Sequence, residues 1–195
     1  MRIVDFIIIV LILFFTTFYI KEQFTEVNSV RSSVDNNKYL VRSEKDSKKA
    51  ADLLANINLK LLELIEILKK DYPNDERTKR VIENYDPKSL SESDENNKYT
   101  SYSVNKGEKI VFCLRSKDEK QKLVDLNIMM FVALHELAHT MTKSVGHTQE
   151  FWNNFRVLLR NARKLGVYKR VNYNDKVGIS LVGDNSEPHI ENVEL

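Results

Sequence analysis

The stretch 121–141, QKLVDLNIMMFVALHELAHTM, restricts the fold of this chain more than any other. It is apolar on most sides of a helix, so a domain must close around it from several directions. Yet His135, Glu136 and His139 stand within that apolar surface. Burying two imidazoles and a carboxylate without a partner is costly, and a divalent cation is the partner that accounts for all three. At 195 residues and 42% apolar, the chain can enclose one such core but hardly two. One catalytic-sized domain with appendages is therefore expected.

The spacing of these residues carries chemistry. On a helix, side chains at i and i+4 lie about 40° apart around the axis, so His135 and His139 share a face and can hold one ion. Glu136, about 100° further round, stands beside the ion's open position. A third nitrogen must come from elsewhere, and His147 follows after a short excursion, with Gly146 supplying backbone freedom for the return. With four His in the chain, H-E-x-x-H should arise by chance in roughly one chain in 150. The lone Cys113 excludes both a disulfide framework and a multi-cysteine zinc site. Three neutral nitrogens suit Zn²⁺, and an open fourth position makes the site catalytic. The expected reaction is peptide-bond hydrolysis by a zinc-activated water, with Glu136 as general base and then general acid. Tyr168 and Tyr173 are considered as second oxyanion donors, but packing is their ordinary role. His189 reads as a surface histidine, and zinc should be lost below the imidazole pKa range.

The reading of fold class is α+β: a compact, helix-rich domain with a small sheet or hairpin. Residues 46–70 place Ala50, Leu54, Ile57, Leu61, Leu64 and Leu68 on one face, with Pro73 beyond. A shorter helix is expected over 75–84, followed by a polar surface loop. Two β-prone runs, 99–104 and 109–114, flank a turn at 105–108, and their edge could take an extended peptide. A last helix over 148–165 carries Phe151, Phe155, Leu158, Ala162 and Leu165 on one face and ends at Gly166.

Residues 3–20 are apolar apart from Asp5, about 27 Å as a helix against roughly 30 Å of hydrocarbon. No small-x-small cleavage site follows, which predicts an uncleaved single-pass transmembrane anchor. Slight positive charge after the span, one cysteine, and 18 Asn without an N-x-Ser/Thr sequon place the catalytic domain on the cytosolic side of the membrane. The expected division is an anchor at 3–20, a polar linker at 21–42, a metallopeptidase domain at 43–183 and an acidic tail at 184–195. Net charge is only +2, so any basic patch must be local. Arg156, Arg160 and Arg163 form such a stripe; it reads as a solvated face, and nucleic acid is a possible but not favoured partner. Nothing in the pattern specifies an oligomer.

HELAH followed by GHTQEFW resembles the small zinc metallopeptidases of the WLM and SprT/Spartan group. TSYSVNKGEKIVFCLR, LNIMMFVALHELAHTMT and GHTQEFWNNFRVLLRNA are similar to WLM-like peptidases of large eukaryotic DNA viruses, over about residues 41–175. The resemblance implies a zincin-like fold, His135, His139 and His147 as zinc ligands, and Glu136 as catalytic acid/base. It also implies that Phe151 and Trp152 pack behind the site. After VNYN the related sequences continue into a Tyr-Cys-Gly stretch, whereas this chain reads DKVGISLVG, so no role is carried over there. The resulting expectation is a membrane-anchored zinc endopeptidase acting on proteins or peptides. The alternatives are a DNA-stimulated protease of DNA–protein crosslinks and an inactive, zinc-stabilised binding module, against which Glu136 speaks.

Overall fold

The four periodic segments of the sequence become helices, and three of them start at a side-chain cap. The computed structural model describes residues 3–23, 27–95, 101–118 and 120–170. Helix α1 spans Ile3–Gln23 and α2 spans Ser47–Asp71, the latter burying the apolar stripe from Ala50 to Leu68. In α3, Glu76–Asn84, the Asp75 side chain accepts the Arg77 N–H at 2.8 Å. Helix α4, Leu126–Met141, starts five residues later than the apolar run, because Asp125 caps it by accepting the Asn127 N–H at 2.8 Å. Residues ahead of that cap pair instead with the strand side of the domain, Val124 N–H donating to Leu114 O at 2.8 Å. Helix α5, Gln149–Leu165, is capped by Thr148 and ends at Gly166 in the left-handed conformation, φ 77°.

Helices α2 and α4 pack against one mixed five-stranded sheet in the order β1-β2-β3-β5-β4. The strands are β1 (Val27–Arg31), β2 (Lys38–Arg42), β3 (Leu90–Glu92), β4 (Ser101–Val104) and β5 (Lys109–Phe112). The β4–β5 hairpin is antiparallel, from Ser101 opposite Phe112 to Val104 opposite Lys109, and β4 forms the sheet edge. Strand β5 runs parallel to β3, and β3 parallel to β2. α2 lies against β1, β2 and β3, while α4 is enclosed by α2, α3, α5 and β4. Thirteen of the 16 residues of α4 are buried, as its all-round apolar character requires.

Two parts of the sequence reading are corrected here. The 21–42 segment is not simply a linker, since β1 and β2 lie within it and pair from Val27 opposite Arg42 to Arg31 opposite Lys38. Its alternation is short: Tyr39 and Val41 are buried while Leu40 between them is exposed, and the buried face is supplied by α2, a distant element. Strand β3 likewise falls in what reads as a surface loop. The second correction concerns the anchor. Among the described residues no helix is long and apolar enough to cross a membrane. The expected single-pass anchor over 3–20, and the cytosol-facing placement that rested on it, therefore do not hold. Tyr173, His189 and the 184–195 tail lie outside the described residues.

A buried ionic cluster ties the sheet together at the strand ends. Arg115 Nε donates to Glu92 Oε1 and its Nη2 pairs with Asp46 Oδ1, both at 2.7 Å, while Glu92 Oε2 accepts the Arg42 N–H at 2.8 Å. Arg42 in turn donates to Ser93 O (2.9 Å) and Asp94 O (3.0 Å). The Glu92 side chain is fully buried, so removing its cation strands a charge in the core. Arg115→Met should cost about 3–5 kcal/mol, seen as a lower urea midpoint at unchanged slope. The double variant with Glu92→Gln should recover part of that loss; an unchanged midpoint in Arg115→Met would show that the cluster contributes nothing.

Candidate metal centre

Two turns of α4 and the loop after it bring the three histidines to one point. The ring centroids of His135, His139 and His147 are 5.0, 4.8 and 5.0 Å apart, nearly an equilateral triangle. Nε2 of His135 lies 3.0 Å from Nε2 of His147, and all three ligand atoms fall within 4.8 Å of one another. Nitrogens bound tetrahedrally at about 2.05 Å from one ion are about 3.3 Å apart, so this donor set fits a metal with modest adjustment. The triad could hold a metal ion.

Phe151 on α5 is the common support of the triad. Its fully buried ring lies 4.8 Å from His135, 4.4 Å from His139 and 4.7 Å from His147. Phe155 adds a contact to His135 at 5.5 Å. Trp152, the other member of the expected aromatic pair, approaches His147 at 5.7 Å. Tyr168 is buried against Phe131, 6.0 Å between centroids, which is a packing position. Arg160 and Arg163 of the basic stripe are exposed, while Arg156 is half-buried and donates to Asn153 at 2.9 Å.

The excursion that delivers His147 is held from both sides by residues that the sequence reading did not select. Gly146 takes φ 81°, the left-handed turn expected of it. Glu150 accepts the N–H groups of Lys143 (3.0 Å) and Ser144 (3.1 Å), which hold its carboxyl down at about 2. Lys106 Nζ donates to three carbonyls of the same loop. Arg80 on α3 donates to Met141 O at 3.0 Å, and Asn154 on α5 donates to the Thr142 hydroxyl at 2.9 Å. None of these partners has a recognisable spacing to the histidines. Only Glu150 carries a local signal, as an acid in the first turn of α5.

Burial sets the protonation of the site. His135 is pushed down to about 3 and His139 to about 4, by desolvation first and neighbouring histidines second; the Lys106 charge adds to the effect on His139. Neutral imidazole is the form that binds a metal. Glu136, on the same helix and only 4% exposed, is pushed up to about 8 by burial.

The WLM domain family matches residues 79–194. Protein R325 of Acanthamoeba polyphaga mimivirus is 33% identical over 171 residues, covering 86% of this chain and 85% of that protein. This chain belongs to the WLM domain family. Protein 136R of Invertebrate iridescent virus 6 is 39% identical over a shorter stretch of 69 residues, 35% of this chain and 38% of that protein. Among solved structures, Wss1 from Saccharomyces cerevisiae aligns with a TM-score of 0.48 at 23% identity, covering 65% of this chain and 88% of that one. The chain is a WLM-like relative of viral proteins, and its α+β domain carries a histidine triad that could hold a metal ion.

The pKa shifts predict how chelator-treated protein responds to pH. Below about 6.5 the unfolded chain binds protons that His135 and His139 resist when folded, so these two make stability fall as pH drops. Glu136 acts oppositely: its contribution is complete below its ordinary 4.5 and is lost as pH rises through about 8. The urea midpoint of chelated protein should therefore peak near pH 6.5 and fall at both pH 5 and pH 8. A midpoint rising steadily to pH 8 would contradict the burial of Glu136.

Proposed function

We propose that this chain is a zinc-dependent endopeptidase in which His135, His139 and His147 hold the ion and Glu136 serves as general base and then general acid. The observation that carries this is the convergence of three imidazoles, two of which, His135 and His139, are pushed down by burial, with the buried Glu136 next to His135 in the sequence of α4. Three nitrogen donors with no cysteine in the cluster suit zinc, which when bound supplies Lewis-acid polarisation and lowers the pKa of water. Glu136 is suited to proton transfer because burial brings its proton affinity near neutral pH, where a group can both take up and release a proton. Phe151 holds the three rings by contact and shields their inner side from water. Proteins or peptides are the proposed substrates. Strand β4, at the sheet edge and packed beside α4, offers backbone groups that an extended peptide can pair with.

Because burial holds His135 and His139 near 3 and 4, proton competition for the ion at these two ligands should begin lower than free histidine would suggest. The deciding experiment incubates the chain with an unfolded protein, with and without DNA. Glu136→Gln should keep zinc but lose about 10²–10⁴ in rate, whereas His147→Ala should lose both zinc and activity. Cleavage by the parent alone establishes a Glu136-dependent protease. A strict requirement for DNA would shift the substrate to proteins on nucleic acid, with Arg160 and Arg163 as the exposed cations to test. Zinc binding by parent and Glu136→Gln with no cleavage by either would overturn the endopeptidase reading.

A further inference from the structure

The turn between β4 and β5 has a conformation that joining two strands does not require. Three consecutive residues take positive φ: Asn105 at 46°, Lys106 at 56° and Gly107 at 117°. A lysine in the left-handed region is unusual, and such outliers persist where surrounding contacts over-determine them. Here the contacts are clear. A Cβ on Gly107 would lie 2.8 Å from Asn84 O and 2.9 Å from the Thr140 side chain, so only glycine lets the turn seat against the end of α3 and the last turn of α4.

From that seat the Lys106 side chain reaches beyond α4. Its ammonium donates to the carbonyls of Thr142 (2.6 Å), Lys143 (2.8 Å) and Ser144 (2.7 Å), filling all three of its donor positions. These carbonyls lie past the helix end, which the Thr142 N–H has already closed on His139 O. Lys106 therefore grips the excursion between the second and third histidines, not the helix itself. Glu150 holds the amides of Lys143 and Ser144 in the same loop, so its main chain is held by a cation through its carbonyls and by an anion through its N–H groups.

We propose that Lys106 is a positioning residue that sets the 142–147 loop so that His147 meets His135 and His139 at the metal. The inference rests on the proposed metal centre and deepens it, assigning the preorganisation of the third ligand to a side chain from the opposite end of the domain's hairpin. Supports of this kind behind a metal ligand typically govern affinity about 10- to 100-fold.

The test measures Zn²⁺ affinity of the full chain by chelator competition, with near-ultraviolet circular dichroism to report folding. Lys106→Met should retain the fold and bind Zn²⁺ about 10- to 100-fold more weakly than the parent. His147→Ala should weaken binding further, and adding Lys106→Met to it should change nothing more, because Lys106 acts through His147. Parent-like affinity in Lys106→Met overturns the proposal, as does an equal loss in the His147→Ala background, which would mark a general structural role. Equal Zn²⁺ affinity of parent and His147→Ala is a different failure, that of the metal centre itself. If Lys106→Met does not fold, Lys106→Arg decides. A planar guanidinium keeps the charge but cannot converge on three carbonyls from one atom, so weaker Zn²⁺ binding by a folded protein supports the role. Parent-like affinity, or failure of both variants to fold, overturns it.

Discussion

The domain depends on the burial of α4. Its apolar surface is too extensive to face solvent on any side, and α2, α3, α5 and β4 each cover part of it. The same enclosure determines the electrochemistry of the residues inside. Desolvation is the first cause that pushes His135 and His139 down and Glu136 up, so one physical effect sets the protonation of all three.

Two rigid supports complete what α4 begins. Phe151 fills the space behind the three imidazoles and limits their rotation, coupling the ligand geometry to the packing of α5. The loop that returns His147 has little apolar surface of its own, and Val145 is almost wholly exposed. It is ordered by polar contacts from Lys106, Glu150, Arg80 and Asn154 instead. The sheet contributes at one remove, placing the β4–β5 turn against the end of α4 while the Arg115–Glu92–Asp46 cluster ties its other strands to the start of α2.

Much of this was legible in the residues. The stripe from Ala50 to Leu68, the helix starts near Asp75 and Thr148, the Gly166 stop and the hairpin all rest on interactions within a few residues, and they appear where the pattern puts them. The histidine triad is legible for the same reason, since helical geometry alone aligns His135 with His139, and Gly146 marks the return to His147. Strands β1, β2 and β3 were not legible. Each is only three to five residues long, and partners on distant segments or the packing of α2 give it its buried face. The apolar run near the N-terminus misled in the opposite direction, since among the described residues no helix is long and apolar enough to cross a membrane.

The sequence by itself determined which three histidines could bind a metal and which helix carries two of them. These follow from periodicities of a few residues, where the chain's own covalent geometry does the arranging. Only the tertiary structure decided what holds the loop ahead of His147 in place. Lys106 is separated from Thr142 by 36 residues, and their contact depends on a hairpin folding, a sheet ordering its strands, and a glycine allowing the turn to dock. No local rule spans that distance, because the interaction exists only once the core around α4 has formed.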